Sequence, residues 1–186
     1  MEKLPKYLTE YLNNLQKVAW PQYDSLPDMD LYMDQLITYA DRLNYLLTNN
    51  INEKIITSSM INNYVKQEVI LSPVNKKYQR DHLSKILTLS ALKKVLSIDD
   101  IKKFFDLHDI KETKNDYNDF TAILSEKLKK TSSAVLEETS KSEEPNYQAL
   151  LINLLLEAYA NVLISEQVIQ ALEFTKKNKK AKKVSA

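Results

Sequence analysis

The chain has 186 residues and not one glycine. Glycine supplies positive φ without strain and lets backbone approach a phosphate closely. Its absence excludes a P-loop, a dinucleotide-binding fingerprint and a glycine-type oxyanion turn. Cysteine is also absent, so disulfides, thiol nucleophiles and thiolate metal sites are excluded as well. The length suits one compact domain, or a small domain with a helical extension, and is enough to bury a core without staples. Hydrophobic residues at 44% and charged residues at 27% describe a soluble globular composition.

The apolar spacing is helical almost throughout, which predicts a mainly α chain. Helices are expected over Lys3 to Val18, from Asp28 or Asp30 to Leu47, and over Ile56 to Lys66. Further helices are expected over Arg80 to Val95, Ile98 to Leu107, Asn115 to Glu138 and Asn146 to Thr175. Trp20-Pro21 and Thr48-Asn49-Asn50 are breaks, and Thr139 to Pro145 reads as a polar linker. The β-branched, proline-containing stretch Val69 to Tyr78 can form only a short hairpin. Four regions follow: N-terminal helices in 1–52, a central unit in 53–107, C-terminal helices in 108–175 that could mediate dimerisation, and a basic, disordered tail in 176–186.

The N-terminus shows no secretory h-region, which favours a cytoplasmic protein. The most apolar run, Ala149 to Ile164, is interrupted by Asn153, Glu157 and Asn161 and is shorter than the roughly 20 residues of a membrane span. It reads as a buried helix with no membrane insertion, either central to a bundle or paired with a second subunit.

Charge is segregated along the chain. Net charge is −4 over residues 1–53, +6 over 54–103, −7 over 104–175 and +6 in the tail. A basic block between acidic helices fits a polyanion-binding module, although lysines also simply solvate helix faces. Within that block, a helical wheel places Ser59, Asn62, Asn63, Lys66 and Gln67 within about 140° of one another. Met60, Ile61, Tyr64 and Val65 fall on the other side. Asn and Gln amides pair bidentately with adenine N6 and N7, and Lys reaches guanine or phosphate. Serines at a helix start suit a phosphate oxygen. An ordinary capped surface helix accounts for the same pattern without DNA.

Residues 57–107 resemble the winged helix-turn-helix of MerR-type regulators. The likeness is carried by Ile61, Tyr64, Val69-Ile70, Pro73, Lys77-Tyr78, Leu83, Ile86 and the run Ser97-Ile98-Asp99-Asp100-Ile101-Lys102. More closely, Leu26 to Gln35, Met60 to Lys66 and Lys76-Lys77-Tyr78 resemble an uncharacterised bacterial domain-of-unknown-function family, number 1836, usually regarded as MerR-like. That likeness covers roughly residues 20–125. It implies a MerR-like winged helix-turn-helix with a short β wing, flanked by N- and C-terminal helices, and a transcriptional regulator acting as a homodimer on double-stranded DNA. The sequence departs from the pattern at Asn62 and Asn63, where MerR proteins often place an Arg and a first Tyr.

On this reading Asn62, Asn63, Lys66 and Gln67 read base edges, while Ser58, Ser59, Tyr64, Lys76, Lys77 and Arg80 hold phosphates. The alternative is a protein-interaction adaptor of the same fold. No enzyme is expected, and no cofactor or metal. His82 and His108 lack zinc spacing, and Asp28, Asp30 and Asp34 read as first-turn helix acids. The sequence specifies no effector.

Overall fold

The computed structural model describes residues 4–48, 54–107, 113–141 and 145–184. The expected break at Asn49-Asn50, His108 and the middle of the polar linker (142–144) lie outside the described residues. The elements are α1 (Lys6–Leu15), a 3-10 turn (Tyr23–Ser25), α2 (Met33–Thr48), α3 (Ser58–Lys66), α4 (Arg80–Leu92), α5 (Ile98–Leu107), α6 (Thr113–Ser140) and α7 (Tyr147–Val184).

The fold is mainly helical, as the periodicity predicts, and no strand occurs among the described residues. The expected β wing is therefore corrected to two isolated antiparallel pairings, Val74 with Lys77 and Leu31 with Tyr78. Pro73 cannot donate a ladder hydrogen bond, and the segment ends at α4 three residues after Lys77, leaving no length for a ladder.

The core is built on α4, which packs against both α2 and α6. Leu83, Ile86, Leu87 and Leu89 are buried together with Leu36 and Ala40 of α2, Ile61 and Tyr64 of α3, Ile101 of α5 and Tyr117 of α6. Ser84, Thr88 and Ser90 are buried in the same helix. Their hydroxyls donate to backbone carbonyls of the preceding turn: Ser84 to Asp81 (2.9 Å), Thr88 to Ser84 (3.1 Å) and Ser90 to Leu87 (2.7 Å). A buried hydroxyl without a partner costs stability, and these are satisfied inside their own helix. Ser90 also reaches the buried Asn44 amide oxygen of α2 at 3.1 Å. His82 caps the start of α4, its Nδ1 accepting the Gln79 backbone N–H at 3.0 Å.

The N-terminal segment wraps the far side of this core. Trp20 is buried and its ring lies 6.4 Å from that of Phe120. The Tyr23 backbone N–H donates to Asn118 Oδ1 at 2.8 Å, and the Tyr11 hydroxyl donates to the Leu47 carbonyl at 2.8 Å. The Tyr23 hydroxyl hydrogen-bonds Asp81. Burial, then that carboxylate, pushes the Tyr23 phenol up to about 12.

Of the two readings of the C-terminal segment, the one that makes it the central helix of a bundle is overturned. Along α7 most apolar side chains are exposed, and Ile169 alone among the described ones is fully covered. The first turns line an apolar groove of about 460 Å3 with Leu12 of α1 and Leu128 and Val135 of α6. The far half packs on α5, where Lys176 donates to the Asp106 carbonyl. The helix also continues through Val184, beyond the expected end near Thr175 and into the tail expected to be disordered.

Without glycine, three of the described residues take left-handed backbone with a side chain in place: Glu68 (φ 58°), Asn75 (φ 51°) and Lys76 (φ 62°). Glu68 closes α3 in a Schellman arrangement. Its N–H donates to Val65 at 3.0 Å and the Val69 N–H donates to Tyr64 at 2.9 Å. Replacing Glu68 with Gly removes the Cβ clash and is expected to raise unfolding free energy by about 0.5–1 kcal/mol. Its exposed ion pair with Lys102 (3.6 Å) offsets little of that gain. A urea titration measures the change, and a loss of stability would refute the strained turn.

Ser97 caps α5, its Oγ accepting the Asp100 N–H at 3.1 Å and donating to Asp100 Oδ2 at 2.6 Å. Hydrogen bonds from Lys103 and then Ser97 hold the Asp100 carboxyl below the usual carboxylate range. A depressed carboxylate stabilises the fold above its unfolded pKa of about 4, and the contribution disappears as pH falls through the folded value. Asp100→Asn should therefore be less stable than the parent chain at neutral pH. The two should converge on acidification, in thermal melts run at stepped pH.

Candidate nucleic-acid interface

The α3 helix has one buried and one exposed side. Thr57 precedes it, and its Oγ1 accepts the Met60 N–H at 3.3 Å, so Thr57 is the cap chosen from the three hydroxyl residues in a row. Ile61 and Tyr64 fix the inner face in the core. Ser58, Ser59, Asn62, Asn63, Lys66 and Gln67 are all exposed. The side chains of the first five have no hydrogen-bond or ion-pair partner among the described residues. The helical wheel thus places Ser59, Asn62, Asn63, Lys66 and Gln67 on the side where they are found.

Tyr64 is different. It is 4% exposed, and burial raises its phenol above the ordinary value. It lies on the core side of the wheel and is a packing residue, which removes it from the phosphate-holding set.

The hairpin after α3 turns at Asn75-Lys76. Both have positive φ, and Val74 and Lys77 exchange N–H···O bonds of 3.1 and 2.9 Å. Two left-handed central residues define the type I′ turn that joins tight hairpins. Lys76 at the tip is exposed. Lys77 is half-buried, its ammonium 5.6 Å from the centre of the Tyr32 ring. Tyr78 is buried and exchanges two backbone hydrogen bonds with Leu31, at 2.9 and 2.8 Å. This bond joins the hairpin base to the residues preceding α2. The sequence reading missed it, and its only trace was a buried-type aromatic after two lysines.

Arg80 is not available as expected. Its guanidinium lies 5.5 Å from the centre of the Tyr23 ring, donates to the Pro27 carbonyl at 3.4 Å and approaches Asp24 at 3.9 Å. It fastens the 3-10 turn to the start of α4. Other cations of the basic block are similarly engaged. Lys102 meets Glu68 and the Gln67 carbonyl, and Lys103 pairs with Asp100 at 2.7 Å. Lys85 lies over the Phe105 ring at 5.9 Å, and Lys93 donates to the Ile55 carbonyl. The net +6 of this block overstates its open positive surface. Lys66, Lys76 and Lys77 are the expected site cations that stay outside ion pairs. The exposed Asp30 immediately precedes Leu31, and so sits next to the residue paired with the hairpin base, with exposed Asp28 two residues earlier.

No curated protein and no solved structure matches the chain. The model of a family described as a domain of unknown function, DUF1836, matches residues 21–127. That span runs from the segment after Trp20 into the middle of α6 and takes in α3, the hairpin and the core helix α4. More than half of the chain lies within it, and the protein belongs to the DUF1836 family.

Proposed function

We propose that the chain is a DNA-binding transcriptional regulator of MerR-like, winged helix-turn-helix type, with α3 as the helix that enters the major groove. The observation that carries this reading is the outer strip of α3. Asn62, Asn63 and Lys66 project from a helix whose opposite face is locked into the core. Asparagine is a poor helix former, and two adjacent exposed ones add nothing to packing. Their amides match the donor and acceptor pair on an adenine edge, and Gln67 extends the same strip. The capped start of α3 leaves first-turn N–H groups at Ser58 and Ser59 for a phosphate. Lys76 on the hairpin tip and Lys77 behind it supply backbone contacts.

A specific observation supports the adaptor as a second reading. Acidic Asp30, next to the Leu31 that pairs with the hairpin base, weakens its field, and an exposed apolar helix face lies elsewhere in the chain. Reversing Lys76 and Lys77 to Glu separates the two. DNA retention is abolished on the first reading and partner binding survives on the second. Arg80 is left unchanged in this test because it holds the 3-10 turn.

Selection of bound fragments from random duplex DNA provides the probe. On the selected site Asn62→Ala should cost about 1–3 kcal/mol and on random DNA almost nothing. Equal losses on both would reject base readout by α3. With three phosphates neutralised per chain, log K should fall with log salt at a slope of roughly −3, doubling if two copies bind together. Failure to enrich any sequence would count against the regulator reading as a whole.

A further inference from the structure

The groove between α1, α6 and α7 has the size and lining of a ligand site. Its volume of about 460 Å3 falls within the ~300–1,000 Å3 of small-molecule sites. Leu12 and Leu15 of α1, Leu128 and Val135 of α6, and Leu150 and Leu154 of α7 line it. Packing explains why it stays open. α1 packs on α6, whereas α7 is anchored by its far half on α5, and the groove is the space left beside the first turns of α7.

Among the described lining residues Lys127 alone is charged. It is exposed and has no ion-pair partner among the described residues. Lys130, at i+3 on the same helix, is exposed as well, and no carboxylate lines the groove. Along α6 the lining side chains form one row at i, i+4 spacing, with Lys127 at one end and Val135 at the other. The two ends lie about 12 Å apart at 1.5 Å per residue. Ser132, inside that row, donates its hydroxyl hydrogen to the Leu128 carbonyl at 2.6 Å and so offers a ligand no donor.

We propose that the groove binds a single aliphatic chain ending in a carboxylate, a medium-chain fatty acid. The chain lies among the leucines and the carboxylate meets the Lys127 ammonium at the end of the row. A staggered saturated chain advances roughly 1.3 Å per carbon–carbon bond, so about ten carbons match the row. The unneutralised ammonium selects an anionic head over a cationic one. Leucine walls select a saturated chain over a ligand rich in donors and acceptors, whose polar groups would lose water without gaining partners.

A bilayer is the competing apolar occupant, because α7 is long and apolar enough to cross a membrane by length and composition. The α6 wall argues against it. That helix carries Glu126, Lys129, Lys130, Glu137 and Glu138, all exposed, and ionised side chains are excluded from hydrocarbon. The groove between the two helices therefore stays in water and admits one chain at a time.

The inference stands apart from the DNA-binding reading, and its test involves no DNA. Isothermal titration of the full chain with decanoate, below its micellar concentration, should show saturable uptake of one molecule per chain. Each methylene removed should weaken binding about fourfold. Decyltrimethylammonium, with the same chain and the opposite charge, should bind more weakly. Lys127→Gln should weaken decanoate by roughly three- to fivefold, as for loss of an exposed ion pair, and narrow the gap between the two heads. Leu151→Glu, which sets a carboxylate in the lining, should abolish uptake. Leu156→Glu, on α7 but outside the groove, should leave it unchanged and so separates groove binding from adsorption to exposed leucines. Circular dichroism checks that all three variants fold. No saturable uptake at millimolar decanoate overturns the proposal, as does equal binding of the two heads. Loss on Leu156→Glu with retention on Leu151→Glu moves the ligand off the groove and overturns it. Co-sedimentation with phosphatidylglycerol vesicles without decanoate uptake overturns it in favour of a lipid surface.

Discussion

The structure depends on the burial of α4. This helix is covered on nearly every side, yet it carries three hydroxyl residues in its middle turns. The arrangement works because each hydroxyl returns its hydrogen to a carbonyl of the preceding turn, so none of the three hydroxyl donors is stranded. Leu83, Ile86, Leu87 and Leu89 are then free to supply the apolar contacts that hold α2, α3, α5 and α6 together. A helix that reads as polar at every fourth position becomes the axis of the core.

From that axis the properties of α3 follow. Ile61 and Tyr64 reach inward, Thr57 closes the first turn and Glu68 closes the last. A nine-residue helix in isolation would be marginal. Fixed at both ends and along one face, it holds its outer amides at constant spacing, which any readout of a regular surface requires.

The electrostatics show how far a charge sum differs from a charged surface. Arg80 has an aromatic ring, a carbonyl and a carboxylate around it, and functions as a staple. Lys103 and Lys102 close α5 and the end of α3. Lys102 at the C-terminal end of α3 and cations over aromatic faces are stabilising where they sit, so a locally basic sequence can fold into a surface of only moderate positive charge.

The sequence by itself determined the helical class, the position of α5 from Ile98 to Leu107, the Ser97 cap and the side of α3 on which each of its residues lies. All of these are set by spacing and capping within a few residues of the chain. It also placed Tyr64 on the core side, although its aromatic hydroxyl invited a surface role. Tertiary structure alone decided which helix would be central. Apolar content pointed to α7, but coverage depends on which elements flank a helix, and α4 lies between α2 and α6 while α7 lies at the outside. The pairing of Leu31 with Tyr78 and the capture of Arg80 by Tyr23 and Asp24 join residues about 50 positions apart. No local pattern encodes such contacts, because they arise only when the core brings distant segments together.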